Sequence, residues 1–284
     1  MKSRAILFIF FLSVFIAFAG CKIITRTPEM SLDTQKALTL RHIKNDNLFH
    51  SKQNITILSL DKNQMKNYFI DIIYSEKNIP TSKMAQEHGA LAAINGGFFD
   101  RDKGGSVTYF EKNDSVISTM RDENIKWGVP HGLINGALIL YKDNHLAIEP
   151  LKPDSAYISS KAEKFVLTTG PLLLYDNTKY PLPKLEFVEK RHPRSAICIT
   201  SDKIKFITVD GRQKDAEGMN LHELQQFLIS QSCTEAINLD GGGSTTLWTN
   251  KTGVANKPSD KEGEREVSNI IIIKKSSSQV SPGK

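Results

Sequence analysis

Short apolar or alternating runs dominate the chain from Asn54 onward, and Gly, Pro, Asn and Asp residues separate them. Runs of this length predict β-strands rather than helices. The predicted strands cover residues 55–60, 67–73, 91–94, 106–110, 115–119, 137–141, 146–149, 165–168, 172–175, 195–200, 204–209, 235–239 and 268–273. The pattern therefore predicts a strand-rich protein.

Two segments follow a helical pattern instead, residues 81–88 and residues 220–230. The first has a candidate N-cap in Thr81 and a stop signal in Gly89. The second is the clearer of the two, because three leucines recur at helical spacing along one face: Leu221, Leu224 and Leu228.

The second predicted helix also has a defined start. Asn220 can cap it, and Glu223, three residues on, can reach back as in a capping box. The helix lies between the predicted strands 204–209 and 235–239, which favours a β-α-β unit with paired parallel strands. The predicted fold class is α+β, a single domain with a strand-rich mixed sheet, this β-α-β unit and few helices.

The first twenty residues have the features of an export signal. Lys2 and Arg4 precede an apolar run over residues 5–18, and Ala19-Gly20-Cys21 follows. The run is too short for a stable transmembrane span. Small residues directly before a cysteine predict a bacterial lipoprotein signal, with Cys21 as the acylated first residue. The alternative is ordinary signal cleavage beside an incidental cysteine.

The domain organisation follows from these boundaries. We predict a lipoprotein signal peptide at 1–20, a tether and edge segment at 21–50, a globular domain at 51–275 and a polar tail at 276–284. Acyl chains on Cys21 would hold the protein at a membrane surface without a spanning helix. The expected location is the bacterial cell envelope, facing the periplasm.

Charge and composition exclude some functions. The net charge of +6 includes Lys2 and Arg4, so the chain without its signal carries about +4, spread along the sequence. Basic residues do not interleave with aromatic ones as a nucleic-acid surface requires. No CxxC pair and no paired-histidine helix supports a zinc site. We therefore expect no nucleic acid partner, no metal site and no cofactor.

Two cysteines, Cys198 and Cys233, remain beyond Cys21. An oxidising compartment would permit a disulfide between them. Both have apolar neighbours, where a free cysteine behaves as a small buried hydrophobe. The sequence favours two buried thiols over a bridge.

Two candidate functional segments adjoin predicted strands. Residues 94–100, Ile-Asn-Gly-Gly-Phe-Phe-Asp, run from an apolar strand into two glycines, which suits a close backbone approach or a tight turn. Residues 191–196, Arg-His-Pro-Arg-Ser-Ala, feed a strand, and Pro193 keeps His192 extended. His192 and Arg194 can then project on one side, where they suit an anionic phosphate.

A third segment ends two buried strands in Asp-Gly. Val209-Asp210-Gly211-Arg212 follows one strand, and residues 238–246, Asn-Leu-Asp-Gly-Gly-Gly-Ser-Thr-Thr, follow the other. In a parallel β-α-β unit, Asp210 and Asp240 would lie side by side at one sheet edge, where α/β proteins bind ligands. Two carboxylates facing one crevice suit acid–base chemistry on a glycoside. The alternative is a pair of structural turns.

Two familiar sites do not fit the glycine-rich stretch. Residues 241–245 lack the spacing and the lysine of a phosphate-binding loop. Ser244 does not stand in a G-x-S-x-G elbow, because Thr246 occupies the position of the last glycine. A serine hydrolase is therefore disfavoured.

Taken in this order, the segments resemble the phosphodiester glycosidase family, that of N-acetylglucosamine-1-phosphodiester alpha-N-acetylglucosaminidase and its bacterial relatives. The resemblance spans about residues 54–273. The matching motifs are residues 95–99, Gly170-Pro171, 191–196, 209–212, Glu217-Gly218-Met219 and 238–246.

The resemblance implies hydrolysis of a sugar-1-phosphodiester, giving free sugar and a phosphomonoester, on a phosphorylated glycan of the cell envelope or surroundings. It implies catalytic roles for Asp210, Asp240 and Glu217. His192, Arg194 and Arg212 would hold the phosphate. A backbone cradle for sugar or phosphate would comprise Asn95, Gly96, Gly241, Gly242, Ser244 and Thr245.

A non-catalytic lipoprotein is the alternative interpretation. It would bind anionic envelope glycan or assist exopolysaccharide assembly, with the same Arg, His and Asn groups used for recognition. The separation and surroundings of Asp210 and Asp240 distinguish the two interpretations.

Overall fold

The strands of the described residues form three antiparallel sheets. The computed structural model describes residues 29–32 and 36–276. The predicted signal peptide, Cys21 and the tail from residue 277 lie outside the described residues. In chain order the strands are β1 (Glu29–Ser31), β2 (Leu38–Leu48), β3 (Ser51–Asp61), β4 (Tyr68–Pro80), β5 (Ala92–Asn95), β6 (Phe110–Lys112), β7 (Ser115–Ser118), β8 (Gly136–Tyr141), β9 (Leu146–Pro150), β10 (Glu163–Thr169), β11 (Leu172–Tyr175), β12 (Thr178–Lys179), β13 (Arg194–Ile199), β14 (Lys203–Val209), β15 (Glu235–Asn238), β16 (Leu247–Thr249), β17 (Gly253–Val254) and β18 (Glu266–Lys275).

The helices are few and short. They are α1 (Thr81–Glu87), α2 (Asp154–Ser159), α3 (Glu186–Glu189) and α4 (Leu221–Ser230), with 3-10 turns at Lys62–Asn67 and Gly242–Ser244. Both predicted helices are present. The sequence pattern missed α2 and α3, because they are too short to show a helical period.

The largest sheet has the order β1-β2-β3-β14-β13-β15-β11-β12, and two five-stranded sheets have the orders β7-β6-β10-β8-β9 and β17-β16-β5-β18-β4. One apolar core joins all three, with Leu58 from the first sheet, Leu138 from the second and Ile271 from the third. This shared core confirms the predicted strand-rich α+β single domain.

The predicted pairing of parallel strands is wrong. β13 lies between β14 and β15 and pairs antiparallel with both, placing Ile197 opposite Phe206 on one side and Ile237 on the other. β14 and β15 still run in the same direction, but about 10 Å apart, which is two strand spacings. The carboxyl ends of β14 and β15 therefore meet the amino end of β13 at one edge of the sheet.

Helix α4 covers the outer face of this sheet. Leu224 and Phe227 pack with Ala196 of β13 and Ile207 of β14 in a second apolar cluster. The predicted capping box is confirmed: the Glu223 backbone amide donates to Asn220 at 2.8 Å, and the Asn220 amide donates to the Glu223 carboxylate at 3.0 Å. Reciprocal capping of this kind fixes the helix start just after the loop that carries Arg212.

Cys198 and Cys233 form a disulfide, so the expectation of two free thiols is wrong. Cys198 stands on β13 and Cys233 follows α4, and both are buried. An apolar neighbourhood does not distinguish a thiol from a disulfide, because both are apolar. The bridge fastens α4 to the sheet edge opposite the one where Asp210 and Asp240 lie.

Some element bounds differ from the prediction. Residues 38–48, within the segment expected to be tether and edge, form the long strand β2, which lies second from the sheet edge. The strand predicted at 106–110 begins only at Phe110. Within residues 29–32 and 36–276, no helix has the length and apolar character needed to cross a lipid bilayer.

Candidate active site

A cavity of about 370 Å³ opens beside the sheet edge where β14 and β15 end. Its lining combines aromatic, cationic and glycine residues with one carboxylate. The lining residues are Phe98, Phe99, Arg101, Trp127, Gly128, Val129, Pro130, Leu133, Phe187, His192, Arg212, Asp240, Gly241, Gly242 and Arg265. Predicted site residues thus provide one side, and loops that the sequence did not single out provide the other.

Asn95 positions the backbone of Asp240. Its side-chain amide donates to the Asp240 carbonyl at 2.6 Å, while its side-chain oxygen accepts from the Ser195 hydroxyl and from the Thr246 amide. Asn95 is fully buried, at the end of β5. It was predicted to cradle a ligand; the structure places it behind the cavity wall, where it ties two sheets to the glycine-rich loop.

The Asp240 carboxyl is the acidic group at the cavity. One of its oxygens accepts from the Gly241 amide at 2.9 Å. Burial raises the pKa of this carboxyl, while the nearby Ser244 hydroxyl and the positive charges of Arg265 and Arg101 oppose the rise. A carboxylate that is partly desolvated yet surrounded by cations is suited to accept a proton or to attack a cationic carbon.

The glycines after Asp240 bring backbone close to cationic side chains. Gly242 has a φ of +61°, and a Cβ there would lie 3.1 Å from the Arg212 guanidinium. Its amide donates to the Pro193 carbonyl at 2.9 Å, which docks the loop on the segment preceding β13. A side chain at Gly242 would fill the space beside Arg212, whereas a Cβ at Gly241 would lie 2.7 Å from the Pro193 carbonyl, so both positions require glycine.

Arg212 fixes the tautomer of His192. A guanidinium nitrogen of Arg212 lies 3.2 Å from His192 Nδ1. Because arginine has only donors, Nδ1 must accept, and the neutral imidazole carries its proton on Nε2. Burial, with the charges of Arg194 and Arg212, lowers the pKa of His192 to about 4. His192 is therefore a neutral N–H donor at the cavity near neutral pH.

A rim on the opposite side comes from two loops. The Trp127 indole N–H donates to Asp102 at 2.9 Å, and the guanidinium of Arg101 lies 5.2 Å from the centre of the Trp127 ring. This stacking holds Arg101 over an aromatic face at the cavity mouth. Loop residues of this kind have no local sequence pattern, which is why the sequence did not indicate them.

Arg265 completes the cationic lining. It pairs with Asp260 through two hydrogen bonds of 2.9 and 3.2 Å. A Cβ on Gly243 would lie only 2.1 Å from Arg265 and 2.2 Å from Asp260, so the third glycine of the loop makes room for this ion pair. The requirement for glycine at position 243 is therefore steric.

The structure does not place Arg194 at the cavity surface. Its side chain is fully buried and donates to the carbonyls of Met219, Phe187 and Lys190 at 2.7–2.8 Å. Its guanidinium carbon also lies 4.7 Å from the Phe187 ring centre. Arg194 thus fastens two walls of the cavity together, whereas the sequence predicted a phosphate contact.

The structure does not bring Asp210 into this cavity either. One Asp210 oxygen accepts from Asn256 at 3.2 Å and from the Lys257 amide at 3.1 Å, and the residue lines a separate cavity. Burial raises its pKa to about 6. The prediction that Asp210 and Asp240 lie side by side on neighbouring parallel strands is wrong, because β13 separates the two strands; the pair of carboxylates on which the predicted mechanism rested does not share a cavity, and Asp240 alone faces this one.

Glu217, predicted to be catalytic, is exposed and is not among the residues that line the cavity. Its carboxylate pairs with Arg191 at 3.1 Å and accepts from the Lys52 amide at 3.2 Å.

The remaining residues predicted to bind substrate lie within the cavity wall or behind it. Gly96 is buried, and a Cβ there would lie 1.9 Å from Asn269. Ser244 and Thr245 are buried in the loop after Asp240.

Five of the predicted site residues therefore meet at the cavity surface: His192, Arg212, Asp240, Gly241 and Gly242. No group of three or more His, Cys, Asp or Glu residues within the described part of the chain is arranged to hold a metal ion.

Comparison with protein families identifies a related domain. A family model described as phosphodiester glycosidase matches residues 88–274. N-acetylglucosamine-1-phosphodiester alpha-N-acetylglucosaminidase of Mus musculus is 26% identical over 199 residues, covering 65% of this chain and 38% of the relative. The Homo sapiens enzyme of that name is 28% identical over 217 residues, covering 70% and 40% respectively. The chain thus spans about two fifths of the length of these relatives.

Solved structures with the same fold include the zebrafish N-acetylglucosamine-1-phosphodiester alpha-N-acetylglucosaminidase catalytic domain, auto-inhibited by its pro-peptide. It is 22% identical with a TM-score of 0.66, covering 87% of each chain. A hypothetical protein from Synechocystis is 15% identical with a TM-score of 0.59, covering 83% of this chain and 61% of the other. At these identities the likeness concerns the fold.

Proposed function

This chain belongs to the phosphodiester glycosidase family, and from that premise we propose that it hydrolyses a sugar-1-phosphodiester at the cavity around Asp240. The products are the free sugar and a phosphomonoester on the former partner. The observation that carries the proposal is one partly desolvated carboxylate, Asp240, facing cationic groups in a cavity with aromatic walls.

The charges of the cavity suit a phosphodiester. Among the described residues, neither Arg101 nor Arg212 has a carboxylate in salt-bridge contact, while Arg265 is neutralised by Asp260. His192 is neutral near pH 7. With Asp240 ionised, the lining keeps one net positive charge, which a singly charged diester neutralises. Arg212 and the His192 Nε2–H are placed to donate to the phosphate oxygens.

The proposed reaction breaks the bond between the anomeric carbon and the phosphate oxygen. Phosphate leaves without prior protonation, because its negative charge is held by Arg212 and His192. Asp240 either removes a proton from the attacking water or forms the bond to the anomeric carbon that water then replaces. In both cases water supplies the oxygen of the sugar product. Phe98, Trp127 and Phe187 provide apolar surface for the sugar ring.

The direct test is turnover of defined diesters by the purified full-length chain. The relatives' names indicate N-acetylglucosamine 1-(methyl phosphate) as the first probe, with glucose and galactose counterparts as comparison. We expect release of free sugar together with methyl phosphate. Tight binding of the probe without release of either product would support the non-catalytic alternative instead.

The pH dependence follows from the two titrating groups. Because burial raises the Asp240 pKa, the active carboxylate is lost on acidification at a pH above the ordinary aspartate value of about 3.9. His192 is neutral above its own pKa of about 4. We expect kcat/KM for the methyl probe to decrease as the pH is lowered, in a single step that we call the acid limb. His192→Gln should lower the rate but leave the limb in place; a limb that moved with this variant would contradict the assignment.

We also propose that the protein is exported and lipid-anchored at Cys21. The lipoprotein-like sequence before Cys21 supports this, and so does the Cys198–Cys233 disulfide, since structural disulfides persist in oxidising compartments. The wild-type chain should partition into detergent and begin with an acylated Cys21 by mass spectrometry. Cys21→Ser should give soluble or unprocessed protein. An unacylated mature wild-type chain would exclude the anchor.

A further inference from the structure

A second cavity of about 420 Å³ adjoins the candidate active site. Its lining is formed mainly by residues 120–134, with Leu151 from the segment after β9. Val129 and Pro130 line both cavities, so the second lies directly across one wall from the first. A diester bound in the first cavity carries a second group on its phosphate besides the sugar. That group must extend beyond the part of the cavity that holds the sugar.

The charged side chains of the second cavity are bonded to other protein groups, within the loop or on the neighbouring Asp100. Arg121 pairs with Asp100 at 2.6 Å and donates to the Lys126 carbonyl at 3.0 Å. The remaining bonds of this kind join Asp122 to Asn124 and the Glu123 carboxylate to the His131 amide. These polar groups hold the loop in shape and leave its apolar side chains as the free contact surface.

The apolar side chains are unusually accessible. Met120 is 40% exposed and Leu151 is 39% exposed, and both line the cavity with the buried Ile134. Ile125 of the same loop is 57% exposed. An exposed apolar surface rimmed by polar groups indicates a binding surface. Asp122 and Glu123 at its rim disfavour a second anionic group, so the occupant should be uncharged beyond the phosphate.

We propose that this second cavity binds a hydrocarbon aglycone, so that the substrate is a sugar joined through one phosphate to a lipid-like chain. The inference rests on the proposed function, because it assigns the non-sugar end of the same diester. The shared lining residues Val129 and Pro130 place the second cavity beside the first, within reach of the non-sugar end of the diester, and the carboxylates of Asp122 and Glu123 disfavour an anionic group there.

Three probes test the inference in the full-length chain at one fixed detergent concentration. They are N-acetylglucosamine 1-phosphodiesters with a methyl, a decyl or a methoxy-tri(ethylene glycol) aglycone, the last two of similar length. We expect kcat/KM for the decyl probe, kept below micelle formation, to exceed that for the glycol probe at least tenfold. Met120→Ser and Leu151→Ser should reduce that ratio toward one.

Ile229→Ser is the matched control, because Ile229 is 46% exposed but lies on α4, outside this cavity. It should keep the wild-type ratio. Turnover of the methyl probe with equal rates for decyl and glycol probes would overturn the inference and leave the proposed function standing. If no probe is turned over, the proposed function is wrong. The affinities of the same probes, measured by calorimetry, then test the inference by themselves. Equal affinities for the decyl and glycol probes would overturn it.

Discussion

Asp240→Asn should reduce turnover of N-acetylglucosamine 1-(methyl phosphate) by about 10³-fold or more. The amide cannot accept a proton from water or attack the anomeric carbon, and removal of a catalytic carboxylate has effects of this order. The fold should survive, because an asparagine oxygen can still accept from the Gly241 amide and the backbone bond to Asn95 is unchanged. Stopped assays of sugar release measure the turnover, and a thermal melt measures the stability of the fold.

Asp210→Asn is the matched control. It changes the same group at the end of β14, but the Asp210 oxygen bonded to Asn256 and Lys257 can be replaced by an amide oxygen. Activity should stay within about threefold of the wild type, since such an isosteric replacement keeps these hydrogen bonds. Equal losses in both variants would restore the two-carboxylate mechanism, and a fully active Asp240→Asn would remove Asp240 from the reaction.

Asp210→Asn also has an expected effect on stability. Burial raises the folded-state pKa of Asp210 to about 6, so the neutral form is favoured in the folded protein. Stability from this group is complete below the unfolded pKa of about 3.9 and is lost as pH rises through about 6. Asparagine does not ionise, so the variant does not lose stability as the pH rises through about 6. Near pH 7.5 the variant should therefore unfold at a temperature equal to or above that of the wild type.

Arg194→Met and Arg212→Met should produce opposite results from the same substitution. Arg194→Met removes the donors to three backbone carbonyls in a fully buried position. A buried acceptor left unsatisfied costs about 1–3 kcal/mol, so the free energy of unfolding should fall by roughly 3 kcal/mol or more. For a domain of this size that corresponds to about 6–12 °C in melting temperature.

Arg212→Met should leave the melting temperature within about 2 °C of the wild type, since the Arg212 side chain is exposed and its loss is a surface change. It should instead lower kcat/KM about 10- to 150-fold, the value of one charge-assisted hydrogen bond. Calorimetric melts and the methyl-probe assay separate the two outcomes. A stable Arg194→Met protein with weakened substrate binding would return Arg194 to the phosphate, as its sequence position suggested.

The sequence indicates the site best where chemistry follows directly on a buried strand. Asp240 with its glycines and Arg212 follow such strands, and His192 lies two residues before one, so all three lie at the same end of the largest sheet. The intervention of β13 between β14 and β15 could not be predicted, since strand order depends on contacts between residues far apart in the chain. Arg212 still reaches the cavity from the end of β14, whereas Asp210 lines a separate cavity.

Other site residues leave no local pattern. Arg101 and Trp127 act through a loop that folds over the cavity mouth, and Arg265 depends on Asp260 and on the space left by Gly243. For Arg194 the sequence predicted a ligand contact where the structure shows a structural role. Its residue type and spacing suit a phosphate ligand, but a buried arginine bonded to carbonyls has the same local sequence. The burial of Arg194 comes from its contacts with Phe187, Lys190 and Met219, which the residues adjacent to it in the sequence do not reveal.

The loop of residues 119–135 sits between β7 and β8 and provides much of the cavity lining without belonging to any sheet. Asp240, His192 and Arg212 by contrast are anchored on the ends of sheet strands. Evolution can therefore alter the selectivity of such an enzyme by exchanging one contiguous stretch of sequence, while the reactive groups stay as they are. Grafting this stretch from one family member onto another should transfer leaving-group preference as a modular trait.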